Sequence, residues 1–206
     1  KKHSFFSIVT IFINPSQFNN LEDFKNYPKD LKNDIKLLKN NNTDLLFIPS
    51  LSNLYPNGIK RIKTIFEYRN ILCDKFRPDH FDGVTTIVNT LVNLINPQSV
   101  FFGEKDFQQL KLVEKLLEKN KNKIIMNRCI SIRMSNGMSF SSRYNNFTDY
   151  EKEIFNSAAN EITLSLKQLR TGINQQIIKN LINKLKENNI IKIDYVEIRD
   201  EINLLI

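Results

Sequence analysis

Four short polar strings in this sequence combine side chains that bind anions and hydroxyl groups, and each follows an apolar run. The strings are residues 14–18 (NPSQF), 77–83 (RPDHFDG), 103–109 (GEKDFQQ) and 141–143 (SSR). Arginine and lysine attract phosphate, amides both donate and accept hydrogen bonds, and glycine lets a ligand approach the backbone. Together these residue types are compatible with a site for a phosphate-bearing ligand.

The string at 103–109 carries the most specific chemistry. Gly103 allows close backbone approach, Lys105 offers a compact charge for phosphate, and Asp106 can accept a hydrogen bond from a ribose hydroxyl. Gln109 is three residues after Asp106 and can share its helix face. The alternative is a charged helix start, in which Glu104 and Asp106 only complement the helix dipole.

The other three strings are each open to a purely structural interpretation. Arg77 and His80 stand where a helix begins and could meet an anion there, but they also fit a capped helix start with a solvated arginine. Ser141, Ser142 and Arg143 could hold polyphosphate through hydroxyls and a guanidinium, although such a string is weak evidence alone. Residues 14–18 are also compatible with a simple turn at the end of a strand.

The elements that must position these strings alternate between strand and helix patterns. Apolar runs predict strands at 5–13, 44–48 and 99–102, and helical spacing predicts helices at about 28–40, at 84–95 and after Gly103 to about 119. This order favours an α/β fold, a Rossmann-like parallel sheet with helices on both faces. Ligands of such sheets bind at the carboxyl ends of the strands, where all four strings are expected to lie.

A smaller α+β unit is predicted to follow. After an extended stretch at 124–134 and a turn at 135–137, Thr148 and Glu151 have capping-box spacing at the start of a long helix, which Gly172 ends. A helix at about 174–187 and a strand at 190–198 complete the unit. We therefore predict two domains, a nucleotide-binding and substrate-binding domain at 1–131 and a smaller domain at 132–206.

Composition restricts the possible classes of function. The formal net charge of +8 is compatible with a nucleic-acid or membrane partner. However, the lysines are dispersed, and the abundance of Asn, Lys and Ile beside only two alanines looks like a general substitution bias. Because aromatic residues are not interleaved with the basic ones, we expect no nucleic-acid partner. Because no apolar stretch is long enough to span a membrane, we expect no membrane partner.

The predicted location is the cytoplasm. Cys73 and Cys129 are too few for a disulfide scaffold or a thiolate zinc site, so a reducing compartment is favoured. The first 13 residues superficially resemble a signal peptide, but no small-residue cleavage site follows them. No stretch reaches the length of a membrane span, and no metal-ligand set is predicted.

In order along the chain, these strings resemble one family, pantothenate synthetase (pantoate beta-alanine ligase) of the nucleotidylyltransferase-like superfamily. The similarity also includes Tyr27-Pro28, residues 55–58 (YPNG) and residues 77–86, so it extends over essentially the whole chain. The resemblance implies an ATP-dependent ligase that condenses (R)-pantoate with beta-alanine through a pantoyl adenylate and releases AMP and pyrophosphate. It also implies Mg²⁺ with the ATP, and a homodimer.

The resemblance assigns roles to positions in this sequence. Gln17 and Gln109 would bind pantoate, with Asn14 supporting that pocket, and Lys105 and Arg143 would stabilise charge during catalysis. The ATP site would be formed by Gly103, Glu104, Lys105, Asp106, Ile132, Phe140, Ser141, Ser142 and Arg143. Arg77 and His80 are further candidates for that site.

Two features depart from the family pattern. The family's His-x-Gly-His signature, which supplies its catalytic histidine, does not occur, since the histidines here are His3 and His80 alone. We therefore expect a sequence incomplete at both ends, lacking its first strand, with little activity by itself. Phe140 also replaces a smaller aliphatic residue.

Two alternative functions remain open at this stage. One is another adenylyltransferase or nucleotidylyltransferase of the same superfamily with a different acid as acceptor. The other is a basic nucleic-acid-binding module, whose affinity would fall steeply with salt.

Overall fold

The computed structural model describes residues 6–18, 20–64, 66–119, 123–172, 174–190 and 192–206. Its strands are β1 (Ile8–Thr10), β2 (Leu45–Phe47), β3 (Ser99–Gly103) and β4 (Ile125–Cys129). Its α-helices are α1 (Leu21–Lys25), α2 (Leu31–Asn40), α3 (Leu51–Leu54), α4 (Leu72–Phe76), α5 (His80–Ile95), α6 (Phe107–Glu118), α7 (Asp149–Leu169) and α8 (Gln175–Glu187). Short 3₁₀ helices lie at Pro15–Gln17, Phe66–Tyr68, Glu104–Asp106 and Ser142–Asn146.

The strands are parallel and occur as two pairs. β1 pairs with β2, with Ile8 opposite Leu45, and β3 pairs with β4, with Gly103 opposite Cys129. The parallel α/β prediction is confirmed, but the described strands form two ladders rather than one continuous sheet. β1 and β2 are shorter than the runs predicted at 5–13 and 44–48, because only residues that face a neighbouring backbone join a ladder, whereas β3 extends one residue beyond the predicted 99–102.

Both strand pairs pack against one apolar core. α5 and α6 supply most of its buried residues, and half-buried side chains from β2, β3 and β4 cover it. The buried core residues of the two helices are Phe81, Val84, Ile87, Val88, Val92, Leu112, Val113 and Leu117. Burying each such side chain contributes about 1.5–3 kcal/mol, so this helix pair is the main support of the strand ends above it.

The boundaries of α5 and α2 follow from local signals. Asn96 adopts a left-handed conformation with φ of 49° and ends α5 where its predicted apolar stripe ends. α2 begins at Leu31 because the Asp30 side chain accepts a hydrogen bond from the Asn33 amide. Pro28 therefore precedes this helix instead of lying in its first turn as predicted.

A buried carboxylate ties the segment before α4 to α5. Asp82 is 1% exposed, and it accepts hydrogen bonds from the Thr64 amide (2.8 Å) and from Nη1 of Arg69 (2.9 Å). Burial alone raises the pKa of Asp82, but the bonds from Thr64 and the charges of Arg69 and Lys63 outweigh it, so the net pKa is lowered. The carboxylate thus stabilises the fold at pH values above the pKa that Asp82 has in the unfolded chain. This contribution is lost as the pH falls through the pKa of Asp82 in the folded protein.

Replacing this carboxylate tests its contribution. We expect Asp82→Asn to lower the free energy of unfolding by about 1.5–3 kcal/mol, the typical value of hydrogen bonds to a charged group. Urea unfolding measures the change. Asp149→Asn, at a fully exposed position on α7, is the matched control. An equal effect of the two substitutions would contradict the role of the buried network.

The second part of the chain is built on α7 and α8. Thr148 and Glu151 form the predicted capping box at the start of α7, and Ala158 of α7 packs with Leu181 and Leu185 of α8. The strand predicted at 190–198 is wrong, because residues 192–198 form no ladder with any described segment. The residues that pack there are Ile190, Ile193 and Val196, a spacing of three where a strand needs two.

The C-terminal segment returns to the first core. Leu204 is 3% exposed within the core of α5 and α6, and the Tyr195 hydroxyl lies 2.8 Å from Sγ of Cys73. The division at residue 131 stays a prediction. Among the described residues, no helix combines the length and the apolar content required to cross a bilayer.

Candidate active site

The loop after β1 is fastened to the first turn of α5. Asn14 is 1% exposed, and its Oδ1 accepts hydrogen bonds from the amide and the hydroxyl of Ser16. Its Nδ2 donates to the Gly83 carbonyl at 3.1 Å. Because these partners hold the Asn14 amide, this residue supports the loop, in which Pro15, Ser16 and Gln17 are half-buried.

Gly83 permits this close approach. A Cβ added there would lie 2.5 Å from the Ser16 carbonyl oxygen and 2.9 Å from the Gln17 nitrogen. Those neighbours are backbone atoms, so neither can move aside alone. Only glycine lets the helix and the loop pack at this distance.

Substitution of this glycine is expected to displace the loop. We expect Gly83→Ala to lower the free energy of unfolding by about 1–3 kcal/mol, the usual effect of overpacking. Urea unfolding of the variant gives the value. Gly172→Ala is the control, because a Cβ there meets no atom within 4 Å, and equal stabilities of the two variants would contradict the close contact.

His80 makes a second connection between the same two segments. The ring is 7% exposed, and its Nδ1 lies 2.7 Å from the Gln17 carbonyl oxygen. A carbonyl only accepts, so the hydrogen bond assigns the proton to Nδ1. Burial lowers the pKa of His80, the bond to Gln17 opposes this effect, and the nearby charge of Arg77 lowers the pKa further.

The lowered pKa predicts a contribution to acid sensitivity. Below about pH 6.5 the unfolded chain takes up a proton that the folded imidazole resists, so the free energy of unfolding falls with pH. In His80→Asn the amide nitrogen can occupy the place of Nδ1 without titrating. We expect a shallower loss of stability between about pH 7 and pH 5 in this variant, and urea unfolding across that range measures it. Equal slopes for the two proteins would contradict the assignment.

The string after β3 begins where that strand ends. Gly103 is the last residue of β3, and Glu104–Asp106 form a 3₁₀ helix that leads into α6. Lys105 and Asp106 are exposed, and Gln109 is half-buried on α6. The charge of Asp106 opposes the lowering of the His80 pKa. A Cβ at Gly103 would meet no protein atom within 4 Å.

The two adjacent glutamines of this string have different environments. Gln108 is 5% exposed, its Oε1 accepts from the Cys73 amide, and its Nε2 donates to the carbonyls of Tyr68 and Ile71. It therefore fastens α6 to the segment that enters α4, a role that sequence analysis missed. The available signal was its position four residues before buried Leu112, on the apolar stripe of α6.

Ile132 and Phe140, two of the predicted ATP-site residues, belong to a hairpin. Arg133 and Ser139 form an antiparallel bridge across the predicted turn, in which Gly137 has φ of 86°. The Ile132 carbonyl accepts from the Phe140 amide at 3.3 Å. Both side chains are exposed, Ile132 at 77% and Phe140 at 59%.

The fourth string begins the 3₁₀ helix at Ser142–Asn146. The Ser141 hydroxyl accepts a hydrogen bond from the Arg143 amide, and Ser142 is exposed. The Arg143 side chain points to the first part of the chain and pairs with Asp23 of α1. Asn14, Gln17 and His80 are thus directly connected, whereas Arg143 reaches that region through α1.

One surface cavity lies near the carboxyl ends of β3 and β4, and another lies along α6. One of about 350 Å³ is lined by Glu104, Phe107, Ile130, Ser131, Arg133 and Glu201, so it adjoins the predicted ATP site at Glu104. The larger, of about 570 Å³, lies between α6 and β4 and contains no predicted site residue. We assign the site from its polar contacts, because a large depression between charged side chains does not by itself indicate catalysis.

Comparison with known proteins gives one consistent family. A family model described as Pantoate-beta-alanine ligase matches residues 1–205. A pantothenate synthetase of Sulfurihydrogenibium sp. (strain YO3AOP1) is 34% identical over 203 residues, 97% of this chain and 72% of that protein. A pantothenate synthetase of Buchnera aphidicola subsp. Acyrthosiphon pisum (strain Tuc7) is 44% identical over 156 residues. That match includes 75% of this chain and spans 55% of the length of the Buchnera protein.

Solved structures agree with the fold. The pantothenate synthetase of Thermus thermophilus superposes with a TM-score of 0.89 at 28% identity, over 99% of this chain and 75% of that chain. A Francisella tularensis pantoate-beta-alanine ligase, complexed with beta-gamma ATP and beta-alanine, gives a TM-score of 0.78 at 33% identity. That alignment includes 89% of this chain and 69% of the Francisella chain.

Proposed function

The chain belongs to the pantoate-beta-alanine ligase family, and from that premise we propose that its site serves the ATP-dependent joining of (R)-pantoate to beta-alanine. One observation supports this most strongly. Asn14, Gly83 and His80 hold the loop at 14–17, which carries Gln17 and follows the carboxyl end of β1. This is the position at which parallel α/β folds bind their ligands.

The proposed first step forms an acyl adenylate. A pantoate carboxylate oxygen bonds to the α-phosphorus of ATP, and the bond from that phosphorus to the pyrophosphate oxygen breaks. The amide side chains of Gln17 and Gln109 orient pantoate through its hydroxyl groups without adding charge. Lys105 and Arg143 stabilise the negative charge that develops on the phosphates.

The proposed second step forms the amide. The beta-alanine amine bonds to the acyl carbon, the bond to AMP breaks, and the amine loses a proton. This step needs no side-chain nucleophile, so the main contribution of the site is to hold the reactants in line. Well-oriented reactants gain roughly 7–11 kcal/mol from proximity.

ATP would lie along the loops after β3 and β4. Gly103 and Glu104 line the phosphate side, Asp106 accepts from the ribose, and the Ile132 backbone contacts adenine. Phe140, Ser141 and Ser142 lie next to Arg143 and border the phosphates. Arg77, whose carbonyl accepts from the His80 amide at 3.2 Å, is a further positive charge beside this region.

Mg²⁺ would enter with the nucleotide. In the described part of the chain, no three His, Cys, Asp or Glu residues cluster as a metal site. Mg²⁺ commonly keeps several waters and binds substrate phosphates with one or two carboxylates. When bound it would neutralise phosphate charge, together with Lys105 and Arg143. We also propose a homodimer and a cytoplasmic location. Light scattering of the purified protein measures the number of subunits.

Calorimetry with the 206-residue chain tests the proposed substrates. We expect MgATP and (R)-pantoate to bind, and (S)-pantoate and lactate to bind much more weakly. Preference for another acid would favour a different adenylyltransferase of the superfamily. Because neither histidine stands in a His-x-Gly-His string, we expect little pantothenate formation by this chain, and rapid formation would contradict that expectation.

Gly103 provides a test that separates binding from folding. Since a Cβ there meets no protein atom within 4 Å and φ is −76°, we expect Gly103→Ala to unfold in urea like wild type. A nucleotide that approaches this backbone would meet the methyl group. We therefore expect about tenfold weaker ATP binding in calorimetry, which corresponds to about 1.4 kcal/mol. Unchanged ATP affinity would place the nucleotide elsewhere.

A further inference from the structure

Arg143, the proposed phosphate-binding arginine, is held by a carboxylate. Its Nη2 donates to both Oδ1 and Oδ2 of Asp23, each at 2.9 Å, across 120 positions of sequence. The side chains are 48% and 39% exposed. One nitrogen serves both oxygens, which is a less specific geometry than two parallel hydrogen bonds from two nitrogens.

An aromatic ring also contacts the Arg143 side chain. The guanidinium carbon is 5.1 Å from the centre of the Tyr27 ring, within the range of a cation–π contact. Tyr27 packs edge-on against Phe18 at 5.6 Å, and Phe18 packs against Phe24 of α1 at 5.3 Å. Because Phe18 follows Gln17 directly, the docking place of Arg143 adjoins the proposed pantoate loop.

The backbone around Arg143 is held from the other side. Ser141 caps the 3₁₀ helix that contains Arg143, and the ring of Tyr144 packs against Phe147 at 5.7 Å and Phe155 of α7 at 5.1 Å. Residues 141–147 are thus anchored on α7 while the Arg143 side chain reaches α1. The side chain can therefore change its partner without moving the backbone that carries it.

We propose that Asp23 is a positioning residue: when no nucleotide is bound, its carboxylate occupies the Arg143 donors that would otherwise bind a nucleotide phosphate. ATP binding must then exchange the carboxylate for a phosphate. This inference rests on the proposed function. A guanidinium binds carboxylate and phosphate through the same donors. Exposed ion pairs are weak, so a polyphosphate with its larger charge can displace Asp23. Tyr27 then keeps the arginine beside the site through a contact that requires no anion.

ATP affinity tests the exchange. We expect Asp23→Asn to bind MgATP about two to five times more tightly than wild type in calorimetry, because the competing ion pair is removed. Glu22→Gln is the matched control, since it removes the same charge from the neighbouring position of α1, and its affinity should equal that of wild type. Weaker binding by Asp23→Asn would show that Asp23 assists phosphate binding, and unchanged binding would show that it does not compete. Either result overturns the inference.

Trypsin provides a second readout that needs no nucleotide. We expect cleavage after Arg143 to be about two to five times faster in Asp23→Asn than in wild type or Glu22→Gln, with the peptides identified by mass spectrometry. Equal cleavage rates in all three proteins would overturn the inference independently of any ATP site. Absence of ATP binding by all three would instead overturn the proposed nucleotide site, and this inference with it.

Discussion

The close packing of residues 14–17 on the first turn of α5 is the contact on which the proposed site depends. Two hydrogen bonds and one steric condition produce it. The Asn14 amide donates to the Gly83 carbonyl, the His80 ring donates to the Gln17 carbonyl, and Gly83 has no Cβ. The first two satisfy polar groups that burial would otherwise leave without partners. The third brings a helix and a loop closer than any side chain would permit. Gln17 consequently has a defined position relative to α5.

Two further buried side chains connect α5 and α6 to the loops around the proposed site. Asp82 joins α5 to Thr64 and Arg69, and Gln108 joins α6 to the segment before α4. Both groups are buried and bonded to backbone, so they define how the helices sit relative to the loops between them. The string at 103–106 leads into α6, and its position therefore depends on the same contacts. Arg143 reaches α1 from the 3₁₀ helix at Ser142–Asn146 and contacts both a carboxylate and an aromatic ring.

Local signals predicted much of the fold, whereas the roles of the site residues rest on the family resemblance and stay predictions. The stripe from Val84 to Ile95 and the turn at Asn96 predicted α5, and the Thr148 and Glu151 pair predicted the start of α7. Contacts between distant positions were not predictable in this way. The Arg143 and Asp23 pair joins residues 120 positions apart, and the role of Gly83 depends on a loop far from it in sequence. The missed arrangement of two strand pairs and the wrong strand at 190–198 have the same cause, since an extended run becomes a strand only when a partner faces it.

A crystal structure of the chain with MgATP and (R)-pantoate would test the central claim most directly. We expect pantoate density between Gln17 and Gln109, a phosphate within hydrogen-bond distance of Lys105, and an unchanged loop at 14–17 on α5. Pantoate density away from Gln17, or a nucleotide far from residues 103–106, would contradict the assignment of the site.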